Sequence, residues 1–166
     1  MSRKALIAAA TVLTLGCGSR NEGTGVAPAR EIASWCDFQG VHLGLESGVI
    51  SGGTTCARVA SILTEYLGAY ESRWQPVGTL PDWTVRVVAD RPTQGAQPGS
   101  FFAGETFWDS RTIDLYQGSL NVLPHELHHV ALGPSSADHL GWCAFGDWEA
   151  REGILDEHSY LGCPAN

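Results

Sequence analysis

The stretch GVHLGLES, residues 40–47, alternates: Val41, Leu43 and Leu45 share one face of an extended chain and His42 takes the other. That is the two-residue period of a half-buried strand. SGGTT then turns the chain, with Thr54 or Thr55 available to cap a helix. From 56 to 73 the period lengthens. Val59, Ile62, Leu63, Tyr66, Leu67 and Tyr70 fall at helical spacing, which predicts a long amphipathic helix lying on a sheet. DWTVRVVAD, residues 82–90, reads as a strand bounded by Pro81 and Pro92, and RPTQGAQPGS as a loop. GETFWDSRTIDLY, residues 104–116, reads as two short strands around a turn at Asp109–Ser110. QGSLNVLPHELHHVAL, residues 117–132, is expected as a second long helix. Pro124 suits its first turn if Ser119 or Asn121 caps it, because first-turn N–H groups have no helical partner. A last helix is expected over GDWEAREGILDEH, residues 146–158. The order predicts an α+β fold, with one small twisted mixed sheet packed on two long helices.

The first residues change the domain picture. Arg3 and Lys4 precede an apolar run from Ala5 to Leu15, then Gly16 and Cys17. This reads as a signal peptide over residues 1–16, too short for a permanent membrane helix. The run TLGC resembles the lipobox of bacterial lipoproteins, although Thr14 stands where leucine is usual. That resemblance implies cleavage before Cys17 and a lipid on it. With Gly18 next and no aspartate there, it implies an outer-membrane destination, so the chain is expected to be exported and membrane-anchored. Residues 17–30 read as a flexible, lipid-anchored tether, and residues 31–166 as the folded domain.

Composition agrees with export. Of the five cysteines, four remain after Cys17, an even number that suggests two disulfides in an oxidising compartment. Three pairings are open, and Cys36–Cys56 with Cys143–Cys163 is preferred because each closes a short loop. The net charge of −8, with no run of Lys or Arg, makes nucleic acid a poor partner.

Chemistry concentrates in LPHELHHVALGPSSADHLGWC, residues 123–143, which holds four of the six histidines. At about 100° per residue, His125 and His129 stand about 40° apart on one helix face. Leu123, Leu127 and Val130 lie opposite. Imidazoles at i and i+4 can converge on one zinc ion, and Glu126, beside the first, is placed to take a proton from water that the ion activates. HELHH resembles the core motif of the zincin metallopeptidases. The resemblance implies that His125 and His129 bind zinc, that Glu126 is the general base, and that the edge strand of the sheet binds the substrate backbone. RTIDLY, residues 111–116, is the candidate for that strand.

The third ligand stays open between His139 and Glu149. Metzincins show H-E-x-x-H-x-x-G-x-x-H and a methionine turn. Here Gly133 comes one residue late, His139 follows a longer loop, and the sole methionine is Met1. Gluzincins take a glutamate from the next helix, which Glu149 matches in spacing, but Gly153 stands where their aspartate follows. ADHLGWC is similar to small exported bacterial proteins that pair H-E-x-x-H with a later DH, and His139 is preferred. Asp138 is a candidate to orient a ligating histidine, and His158 or Tyr160 to stabilise an oxyanion. His128 is expected beside the metal without ligating it, and His42 on the surface. The function expected is zinc-dependent hydrolysis of a protein or peptide substrate. The alternative is a non-catalytic zinc-binding lipoprotein or scaffold of zincin fold, which has no reason to keep Glu126. An amidase or another hydrolase on the same centre also fits.

Overall fold

The computed structural model describes residues 25–49, 54–89, 103–136 and 139–154. The expected signal peptide, Cys17, Asp138, His158, Tyr160 and Cys163 lie outside these. Five strands form one mixed, open sheet: β1 (Ile32–Phe38), β2 (Val41–Glu46), β3 (Thr84–Val88), β4 (Gly104–Phe107) and β5 (Thr112–Tyr116), in the order β1-β2-β3-β5-β4. The central β2–β3 and β3–β5 pairs are parallel, and the outer β1–β2 and β4–β5 pairs antiparallel. β1 was not foreseen. It pairs with β2 through a tight turn in which Gln39 and Gly40 both have positive φ, the mirror-image turn that matches strand twist. Its glutamine is a weaker turn signal than the usual asparagine.

The helices α1 (Cys56–Arg73), α2 (Leu123–Leu132) and α3 (Cys143–Glu152) complete the α+β architecture. Thr55 caps α1, its side chain accepting from the Arg58 N–H. Val59, Leu63 and Leu67 then meet Leu43, Leu45, Val85, Val87, Ile113 and Leu115 in one core, which Leu123 and Leu127 of α2 also join. The Cys36–Cys56 disulfide ties β1 to the start of α1, as expected.

Three expectations are corrected. The second helix is short: a 3-10 turn, Leu120–Val122, precedes it, and Pro124 sets its first turn. Neither Ser119 nor Asn121 caps it; Asn121 donates instead to the Ile154 carbonyl at 2.8 Å. The last helix starts earlier, at Cys143, and stops before Gly153, whose left-handed backbone (φ 68°) returns its N–H to the final turn. RTIDLY is not the edge. β5 is buried along its whole length between β3 and β4, and β4 is the edge strand on that side of the sheet.

The end of the expected tether also packs. Residues 25–30 cross the sheet face opposite the helices, where Arg86 and Asp114 form a buried bidentate ion pair at 2.6 and 2.7 Å. The Pro28 carbonyl accepts from Arg86, the Ala27 N–H donates to Ser110, and Arg30 pairs with Glu46. Buried charges need such partners, and that need fixes this short segment.

Candidate metal centre

Two turns bring the histidines together. α2 carries His125 and His129 on its inner face, both buried. Gly133 (φ 86°) ends the helix and reverses the chain, and His139 returns in a left-handed conformation (φ 55°) that non-glycine residues seldom adopt. Strain of this kind is held in place where a side chain must point one way. Here it aims the ring of His139 at the other two. Its Nε2 lies 3.1 Å from Nε2 of His125 and 3.1 Å from Nε2 of His129. Nitrogens of the three rings fall within 4.8 Å of one another.

The outer ring nitrogens have partners of their own. His125 Nδ1 stands 3.0 Å from Glu149 Oε1 on α3, both side chains fully buried. His129 Nδ1 stands 3.3 Å from the hydroxyl of Ser136, which donates onward to the Gly133 carbonyl at 2.6 Å. With the Nδ1 hydrogens directed outward, lone pairs on Nε2 face inward. A proton on His139 Nε2 serves one neighbour at a time, whereas a cation satisfies all three nitrogens at once. Burial, and then the neighbouring imidazoles, hold His129 well below the ordinary histidine range and His139 at about 3. Both are thus kept in the neutral form that binds metal. The three histidines can hold a metal ion.

Glu126 sits beside them on the same helix, fully buried. Thr106 of β4 donates to its Oε2 at 2.7 Å, while Oε1 has no hydrogen-bond partner among the described residues. Burial is the main cause that pushes its pKa up to about 7, opposed by His125 and the Thr106 hydrogen bond. Trp142, also buried, closes one side of the cluster, its ring 4.6 Å from those of His129 and His139 and 5.3 Å from that of His125.

Sequence reading placed His125, Glu126, His129 and His139 together, and the fold brings them together. Glu149 also reaches the site, but at the outer nitrogen of His125, where it orients the ring. His128 lies elsewhere: it stacks on Phe145 at 3.8 Å, within reach of the Tyr70 hydroxyl and Trp74. Burial lowers its pKa to about 4, so it is a neutral member of an aromatic cluster joining α1, α2 and α3. His42 is exposed as expected, paired with Asp37. Cys143 is disulfide-bonded, and its expected partner Cys163 lies outside the described residues. Thr106, Ser136 and Trp142 were not foreseen. Ser136 carried a weak signal, as a hydroxyl between two presumed ligands; Thr106, distant in sequence, carried none. No protein-family model, curated protein or solved structure is significantly similar to this chain.

Proposed function

We propose that this chain is a zinc-dependent peptidase of zincin type, with His125, His129 and His139 holding the ion and Glu126 as general base. The observation that carries this reading is the joint placement of three convergent imidazole nitrogens and a buried carboxylate with one oxygen unpartnered among the described residues. The two 3.1 Å spacings from His139 lie near those that zinc imposes. At a zinc–nitrogen bond of about 2.0–2.1 Å, tetrahedral ligand atoms stand about 3.3–3.4 Å apart. Three imidazole ligands leave a fourth position open, as catalytic sites require. The mixed sheet, with an antiparallel edge strand beside the H-E-x-x-H helix, supports the zincin reading, and β4 replaces β5 as the strand that offers its backbone to a substrate.

Bound zinc supplies a Lewis acid that polarises the scissile carbonyl and makes water nucleophilic near neutral pH. The chain's own residues do the rest. Glu149 and Ser136 fix the rings of His125 and His129, and Trp142 excludes bulk water from one side. Glu126 Oε1 accepts the proton of the attacking water as the new C–O bond forms. It returns that proton to the amide nitrogen as the C–N bond breaks. Location belongs to the same proposal: export, with a lipid on Cys17 anchoring the domain to the bacterial membrane.

The test is metal analysis of the purified domain, followed by digestion of a diverse peptide pool. One zinc per chain and cleavage that Glu126→Gln abolishes without loss of metal are expected. A fully loaded protein that cleaves nothing would instead be a zinc-binding scaffold.

A further inference from the structure

We propose that Thr106 is a positioning residue for the general base, so that the edge strand β4 itself aims Glu126; this rests on the peptidase reading above. Nothing in the H-E-x-x-H motif specifies how its glutamate is held, since the motif lies wholly on the helix. The structure supplies the holder from the sheet. Gly104 and Thr106 are two residues apart in β4 and so face the same way, towards α2. The Thr106 hydroxyl donates to Glu126 Oε2 at 2.7 Å and is the sole hydrogen-bond donor to that carboxylate among the described residues. Gly104 bounds the other oxygen: a Cβ built there would stand 2.6 Å from Oε1 and 3.0 Å from Cδ and Cγ. One oxygen is tied and the other lies against bare backbone.

That asymmetry has a chemical consequence. A carboxylate free to rotate exchanges its two oxygens; this one does not without giving up its hydrogen bond in a buried place, where an unpaired charge is costly. Oε2 is therefore the anchored atom and Oε1 the atom that takes the proton. Threonine suits the task because its branched side chain has few χ1 choices in a strand.

The test compares Thr106→Val, which keeps the shape and removes the donor, with Thr106→Ser, which keeps the donor. The intact zinc-loaded protein is used, with a peptide it cleaves. Thr106→Val should lower kcat by about ten-fold or more with KM and zinc content unchanged, and Thr106→Ser should recover most of the rate. A Thr106→Val protein that turns over like the parent, or a Thr106→Ser protein as slow as the valine variant, would overturn the proposal. Stability decides the matter without turnover. Thr106→Val should lower the unfolding temperature in the parent but not in a Glu126→Ala background, since the two side chains act as a pair. Equal losses in both backgrounds would overturn it. A parent protein that cleaves nothing would instead count against the peptidase reading and leave this stability cycle to judge Thr106.

Discussion

Glu149 Oε1 lies 3.0 Å from Nδ1 of His125, the ring nitrogen opposite the one that faces His139. A carboxylate in that place would orient the ring and raise its basicity without contacting an ion held by the three histidines. Glu149→Gln keeps an acceptor and loses the charge. It should weaken metal affinity by about 10–100-fold and still reach one ion per chain at saturation. His139→Ala removes a converging nitrogen and should abolish stoichiometric binding. Competition titration with a chelator measures both, and a Glu149→Gln protein as empty as His139→Ala would make the glutamate the ligand.

Gly104 tests the fit of β4 against α2 from the opposite direction. Its missing side chain is what admits the Glu126 carboxylate. Gly104→Ala should push Oε1 from its place. A loss of turnover of at least about ten-fold, with the histidine site still loading metal, is the expected result. Parallel metal and peptide assays on one preparation check it; full activity would mean that the strand or helix shifts freely.

The reach of sequence reading follows from where each constraint lies. The strand at Val41, Leu43 and Leu45 and the helix from Cys56 were legible because one face of each is buried and the period shows it. His125, Glu126 and His129 were legible because their geometry is local to one helix. His139 needed the turn at Gly133, which the glycine hinted at without fixing its direction. Thr106 and the edge position of β4 were not legible, since they depend on how β4 and β5 are ordered across the sheet, and both segments have strand character alone. The packing of residues 25–30 was hidden for another reason. GVAPAR, at the end of a Gly-, Ala- and Ser-rich stretch, reads as a linker until the buried Arg86–Asp114 pair beneath it is known.

That ion pair carries its own prediction. Arg86 and Asp114 are directly opposite in the β3–β5 register and both are buried. Asp114→Asn leaves the guanidinium without its charge partner, a change that costs about 3–5 kcal/mol at buried sites. Urea unfolding of the two proteins measures it. A cost under about 1 kcal/mol, the range of exposed pairs, would mean that water reaches this face despite the segment lying on it.

Glu105 makes the stability of the same face depend on pH. Burial raises its pKa above the usual carboxylate value, Asp114 adds to this, and the Tyr116 hydroxyl, which donates to it, and Arg30 oppose it. The folded protein therefore binds the Glu105 proton more tightly than the unfolded chain does. By linkage, the stabilising contribution is full below the unfolded pKa and is lost as pH rises through the folded one. Glu105→Gln mimics the protonated form at every pH. It should be close to neutral in acid and gain in stability over the parent as pH climbs from the ordinary glutamate range towards neutrality, then level off. Urea midpoints for both proteins across that range give the difference directly. Arg30, Asp114 and Tyr116 are common to both proteins, so their titration cancels to first order. A difference that stays flat with pH would mean the Tyr116 hydrogen bond and Arg30 fully offset the burial of the carboxylate, and a difference that falls would mean they exceed it.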